Sequence, residues 1–276
     1  MLVVATETNN KKKETIMKIQ STCSLALLIA AGALFVTNTS LRASETDDRI
    51  ESSAKKSYVF KTYLQGDAIK TESKNGAVTL TGTVADSNHK SLAQDTVEGL
   101  PGVLSVDNQL TVKGESPAEH SDAWINVKVK SALLFHRNVS ATGTAVYVKD
   151  GIVTLQGEAS SIAQKELTTE YAKDIDNVKE VKNEMTIAKT PAKPAETIGE
   201  KIDDASITAQ VKSSLLSHRS TSALKTKVST TDGIVTLSGI AKNEAEKSLV
   251  TKLATDINGV TSVINNMTIA MPVAAN

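Results

Sequence analysis

Asp150-Gly151-Ile152-Val153-Thr154-Leu155-Gln156-Gly157 occurs in this 276-residue chain in three versions. Asn75-Gly76-Ala77-Val78-Thr79-Leu80-Thr81-Gly82 precedes it, and Asp232-Gly233-Ile234-Val235-Thr236-Leu237-Ser238-Gly239 follows it. Each version begins with a turn pair ending in Gly and continues as an apolar-rich run. Asn-Gly or Asp-Gly between two such runs predicts a tight hairpin, because Gly adopts positive φ without a Cβ clash. Val146-Tyr147-Val148 supplies the incoming strand of the middle version.

The phase is kept on both sides of the hairpin. Val103-x-x-Val106-x-Asn108, Val178-x-x-Val181-x-Asn183 and Val260-x-x-Val263-x-Asn265 follow, each Asn 32 residues after the first glycine of its hairpin. Asp47, Asp122 and Asp204 each lie 29 residues before that glycine. Copies two and three nearly share Val129-Lys130-Ser131-Ala132-Leu133-Leu134-Phe135-His136-Arg137 and Val211-Lys212-Ser213-Ser214-Leu215-Leu216-Ser217-His218-Arg219. Copy one has diverged most here. Constant spacing of this kind marks a repeated structural unit.

Each unit reads as helix, strand, strand, helix, strand. Asp122 and Asp204 read as N-caps, with Ile125, Val129, Leu133 and Leu134 at helical spacing behind the first of them. Leu167, Tyr171, Ala172 and Ile175 form the stripe of a second helix, and 178–187 a last strand. The expected fold is α+β: three tandem two-layer αββαβ domains, each a three-stranded mixed sheet covered by two helices. Their expected bounds are 46–113, 122–189 and 202–270, with joints at 114–121 and 190–201. Pro117, Pro191 and Pro194 in the joints predict extended spacers and domains that behave independently, as beads on a string.

The D-G-x-V-x-L-x-G hairpin, with V-x-x-V-x-N placed 32 residues after its first glycine, resembles the BON domain family. Several copies behind a signal peptide resemble the osmotically inducible periplasmic group of that family, whose familiar form has two copies. The resemblance implies the αββαβ fold, the periplasm, and a part in envelope maintenance or osmotic stress. It also implies binding of phospholipid or of protein partners, or chaperoning of exported proteins. The departures are the extra copy, the divergent first helix, and Ala77 where Ile152 and Ile234 stand in the other copies.

Ser24 to Val36 form an apolar run of 13 residues, which suits a signal peptide and is short for a membrane span of about 20 residues. Lys18 precedes the run, and Met17-Lys18 reads as the start of such a peptide. Ala43-Ser44 is the expected cleavage site, so residues 1–43 would be removed; an uncleaved anchor is the alternative. Cys23 sits ahead of the apolar run, where a lipoprotein Cys would follow it. The mature chain would then have no thiol and no transmembrane span. Basic and acidic residues number 31 each, and removing residues 1–43 takes five of the former and two of the latter, for a net charge of −3. That balance argues against nucleic acid and limits any attraction to anionic lipid to a local patch.

Candidate chemistry is sparse. His136 and His218 occupy equivalent positions at the end of the first helix, and each precedes an Arg. They read as cations complementing a helix C-terminus, with Lys61 in the same place in copy one. His89 and His120 have no counterparts in the other copies. Gly82, Gly157 and Gly239 read as sites of tight strand packing, and Asn108, Asn183 and Asn265 as partners of neighbouring backbone groups. Trp124 aligns with Ser206, so the fold does not need it there; it reads as an exposed contact or an isolated surface aromatic. No nucleophile elbow, P-loop or dinucleotide turn is present. The expected catalytic, cofactor-binding and metal-ligating sets are empty. The expectation is a non-catalytic binding protein for envelope phospholipid or for exported and outer-membrane proteins; the alternative is a chaperone that holds unfolded exported proteins.

Overall fold

The computed structural model describes residues 44–114, 117–141, 143–188 and 201–270. The expected signal segment, residues 115–116 of the first joint and residues 190–200 of the second lie outside the described residues. Copy one comprises helix α1 (residues 44–56), the short α2 (Tyr58–Thr62), β1 (Ala68–Lys74), β2 (Ala77–Val84), α3 (Ser87–Glu98), β3 (Ser105–Asn108) and β4 (Thr111–Val112). Copy two repeats the order with α4 (Asp122–Phe135), β5 (Thr144–Lys149), β6 (Ile152–Ala159), α5 (Ile162–Lys173), β7 (Glu180–Asn183) and β8 (Thr186–Ile187). Copy three has α6 (Asp204–Ser217), a 3-10 turn (Ala223–Lys225), β9 (Thr226–Thr231), β10 (Ile234–Ala241), α7 (Glu244–Thr255), β11 (Ser262–Asn265) and β12 (Thr268–Ile269).

This is the expected α+β unit, three times over. The middle strand pairs antiparallel with its hairpin partner and parallel with the last strand. That last strand is broken into two short pieces, both on the same middle strand. In β6, Val153, Leu155 and Ala159 are buried beneath the helices, while Gln156 and Glu158 are exposed on the other side. Period-two alternation is what a sheet with one covered face requires.

Asp122 and Asp204 are not the N-caps. Ser121 and Asp203, one residue earlier, cap α4 and α6 and accept the N–H groups of Trp124 and Ser206. The aspartates instead reach the hairpin. Asp122 accepts the N–H groups of Asp150 at 2.7 Å and Gly151 at 2.8 Å. Asp47 does the same for Asn75 and Gly76, at 2.8 and 2.9 Å. A hydrogen bond from Ser73, aided by these amides, holds the Asp47 carboxyl below the usual carboxylate range. The invariant 29-residue spacing is thus a clamp between the first helix and the turn.

The beads-on-a-string expectation is overturned. Helix α6 is buried at seven consecutive positions, Ala205 to Val211, and again at Ser214, Leu215 and Ser217. A helix covered all round belongs to an interior. One side of α6 lies on its own sheet, where Thr208 Oγ1 is 2.8 Å from Thr230 Oγ1. Another side meets copy one. The Tyr58 and Val59 amides donate to Asp203 and Ser206, and Tyr63 Oη lies 3.4 Å from Gln210 Oε1. Gly99 and Ala205 let the helices of copies one and three approach closely: a Cβ on Gly99 would sit 3.1 Å from the Ala205 Cα. Lys212 bridges to Asp95 at 3.0 Å and Glu98 at 3.5 Å on α3. Satisfied polar groups on a small-residue surface make this contact cohesive without a large apolar seam. The linkers therefore join copies that already hold one another.

Candidate functional site

The two candidate histidines meet at the junction of copies two and three. His136 caps α4 and is 3% exposed. Its ring stacks on Tyr171 with centroids 3.8 Å apart, and its Nε2 lies 3.5 Å from Ser214 Oγ of copy three. Its backbone bridges to Ile257, beyond α7. The reciprocal bridge joins His218 to Ile175, beyond α5. The Arg137 amide donates to the Asp256 carbonyl at 3.1 Å, and the Arg219 amide to the Asp174 carbonyl at 3.0 Å. Each copy offers the end of its first helix to the end of the other's second helix. The junction is a local two-fold built from two sequence-related halves.

Its electrostatics follow from burial. Desolvation pushes the His136 imidazole down to about 4, against the opposing pull of Asp256. His218 Nε2 sits 3.3 Å from Asp174 Oδ2 and holds that carboxyl below the usual carboxylate range. Tyr171 Oη donates to Asp256 Oδ2 at 2.8 Å. One terminal nitrogen of Arg137 reaches the carbonyls of Thr255, Ile257 and Val260, at 2.6, 2.8 and 2.8 Å. His136, Tyr171 and His218 are buried here, and the bonds that these groups make run between the copies and join them.

Copy one lacks the charged parts of this device: Lys61 and Thr62 replace the His-Arg pair, and Gly99 replaces Asp174 and Asp256. It docks on the flank of α6 instead. The helix-dipole reading of His136 and His218 located them at helix ends but missed the partner, and burial denies His136 the charge that reading gave it. The signal was present, because copies that keep His-Arg also keep Asp-Ile at the other helix end.

The remaining candidates are structural. The Asn183 side-chain amide donates to the Lys165 carbonyl and to Thr169 Oγ1, while its Oδ1 accepts the Met185 amide at 3.0 Å. Asn265 repeats this, and Asn108 does so with Gln94 in place of the Thr. Each Asn ties the second helix to the break in the last strand. Gly82, Gly157 and Gly239 have φ between 119° and 126°, and a Cβ on them would fall 1.8–2.0 Å from the carbonyl oxygens of Ala68, Gly143 and Lys225. Trp124 is half-buried against the core, under Lys128 and edge-on to His120. His89 Nδ1 is 2.6 Å from Asp67 Oδ2, at the mouth of a cavity of about 400 Å3 between copies one and two. Among the described residues no group of three or more His, Cys, Asp or Glu converges as a metal site. No helix among them is long and apolar enough to cross a membrane.

With the helices turned inward, the three sheets present their open faces outward, and those faces differ. Copy one shows Lys70, Glu72, Lys74, Thr79 and Asp107, and copy two shows Tyr147, Lys149, Gln156, Glu158 and Lys182. Copy three shows Lys227, Ser229, Ile234, Thr236, Ile240 and Ile264. The face of copy one is polar, that of copy two sets the exposed Tyr147 among charged side chains, and that of copy three carries three isoleucines.

Three stretches, residues 46–114, 121–189 and 203–271, match the family model described as the BON domain. Over 146 residues the chain is 34% identical to the osmotically-inducible protein Y of Escherichia coli, spanning 53% of this chain and 71% of that one. It is 30% identical over 167 residues to the outer membrane lipoprotein DolP of Haemophilus influenzae, spanning 57% of this chain and 84% of that one. A solved chain of CdsD, a structural protein of the type III secretion system of Chlamydia trachomatis, aligns over 77% of this chain and 90% of its own. Its 18% identity and TM-score of 0.22 carry no argument. The chain belongs to the BON domain family.

Proposed function

We propose that this protein is a non-catalytic periplasmic binding protein serving envelope maintenance under osmotic or envelope stress, with phospholipid as its partner. The observation that carries this reading is how the surface is used. Helix α6 and the candidate histidines are consumed in joining the copies, while the outward sheet faces stay open to contact. One relative is named as osmotically inducible and another as an outer membrane lipoprotein, which supports an envelope setting. The 13-residue apolar run supports export by a cleavable signal peptide, with cleavage near Ala43–Ser44.

A second reading, a chaperone for unfolded exported proteins, is supported by exposed apolar side chains outside copy three, such as Leu104 and Ile162. Binding of the full-length protein to phospholipid vesicles and to an unfolded outer-membrane protein separates the two. Retention on vesicles alone supports the first reading; capture of the unfolded chain alone replaces it with the second. Sequencing the N-terminus of the protein from a periplasmic extract tests export, and a chain retained in the cytoplasm with residues 1–43 intact refutes it.

A further inference from the structure

The open face of copy three departs from its siblings at positions where the fold makes no demand. Leu224 in the 3-10 turn is 95% exposed, and Asp67 and Thr142 occupy its place in copies one and two. Ile240 is 50% exposed, where the other copies have Thr83 and Glu158. Ile264 is 49% exposed, where they have Asp107 and Lys182. Three independent replacements of polar or charged residues by large aliphatic ones, all left in water, have no account in packing. Clusters of exposed aliphatics mark contact surfaces.

These residues share one surface. Ile264 pairs in register with Thr236, and Ile240 with Thr268. Leu224 lies just ahead of β9, whose first residue Thr226 pairs with Gly239, the neighbour of Ile240. The outward positions of this sheet carry Lys227 and no acid. Lys225 and Lys242 flank the same end and are exposed; Glu244 lies two residues beyond Lys242. An aliphatic tip between lysines, on a flat face free of carboxylates, suits the boundary of an anionic bilayer. Aliphatic groups enter the acyl layer while ammonium groups stay among the phosphates. The net negative charge expected of the mature chain makes this local arrangement necessary for any such contact.

We propose that the outer sheet face of copy three, with Leu224 at its tip, is the surface that seats on anionic phospholipid membrane. This rests on the phospholipid reading above. Copies one and two, both docked on copy three, would carry the anchored face without touching lipid themselves.

The test uses the full-length protein and vesicles of phosphatidylethanolamine with phosphatidylglycerol, beside vesicles of phosphatidylcholine. Leu224→Glu and Ile240→Glu are each expected to lower partitioning onto the anionic vesicles by about tenfold or more, with unchanged melting temperature. Thr83→Glu in copy one is expected to change nothing. Lys225→Gln with Lys227→Gln is expected to weaken binding and flatten its salt dependence. In a Trp124→Phe background, the emission of Leu224→Trp should shift to the blue on adding vesicles, and that of Asp67→Trp should not. If the parent protein binds vesicles and the copy-three variants bind equally well, this surface is wrong while the phospholipid reading stands. If the parent ignores vesicles but holds an unfolded outer-membrane protein through Leu224 and Ile240, both the membrane proposal and the phospholipid reading fall.

Discussion

The carboxylate of Asp204 accepts the backbone N–H of Gly233 at 2.8 Å, across 29 residues of chain, and its other oxygen accepts the N–H of Asp232 at 2.8 Å. The turn is already fixed by positive φ at both residues. What the carboxylate adds is the angle between α6 and the hairpin. Asp204→Ala should destabilise the protein by about 1–3 kcal/mol, since charge-assisted bonds to two amides are lost together. Urea unfolding measures it. A change within a few tenths of a kcal/mol would mean the clamp is decorative.

The glycines separate into tolerant and intolerant sites, with the turn residue Gly66 among the first and Gly157 in β6 among the second. Gly157→Ala places a Cβ about 2.0 Å from the Gly143 carbonyl oxygen at φ 126°, so the hairpin must part. A loss of about 3 kcal/mol or more is expected. Gly66 has no neighbour within 4 Å of an added Cβ, and Gly66→Ala should stay within about 0.5 kcal/mol. Thermal melts of the two variants decide this.

Acid should loosen the junction of copies two and three. The His136 imidazole is held neutral, down to about 4 from an ordinary 6.5. The unfolded chain binds a proton that the folded junction refuses. The contribution is therefore complete above pH 6.5 and is lost as pH falls toward 4, about 3 kcal/mol in all. Asp256, Tyr171, Ser214 and His218 face this ring, and protonation would place a cation in this desolvated junction. His136→Phe, which keeps the stack on Tyr171, should flatten the stability profile between pH 6.5 and 4. Urea midpoints across that range test it; an unchanged slope would assign the acid sensitivity elsewhere.

Unfolding should be shared by all three copies. Gly233→Val strains a residue at φ 76° whose Cβ would lie 3.0 Å from the Gly259 carbonyl oxygen. Because α6 of the same copy is the inner wall for copies one and two, the damage should spread. Calorimetry of the parent should give one transition, and the variant should lower all of it. Separate transitions, with one of them shifted, would restore independent copies.

Much of this architecture was legible in the chain. Hairpins were legible because Asn-Gly and Asp-Gly specify φ locally, and helices because Leu167, Tyr171, Ala172 and Ile175 keep their period. Asn183 was correctly read as a partner of the backbone. The caps were misplaced by one residue because Ser121-Asp122 and Asp203-Asp204 each offer two good capping side chains in a row. The docking was not legible at all. Ser206 and Gln210 look like a wetted helix face, and only contacts more than 140 residues away in sequence turn them inward. The prolines of the joints misled for the same reason: they describe the connector and say nothing of what the connected bodies do. The apolar departures at Leu224, Ile240 and Ile264 were visible in the alignment of copies but carried no meaning until the sheet face placed them together.

Helix α6 comes from the last of the three repeats, yet it forms a wall for the first. A chain synthesised amino end first therefore exposes the waiting surfaces of α2 and α3 before their cover has arrived. During that interval the leading repeat can close its own hairpin and helices, but Gly99, Asp95 and Tyr63 face solvent. The order of emergence and the order of assembly run in opposite directions, so a product cut short within its final third would carry an unfinished seam on otherwise completed repeats.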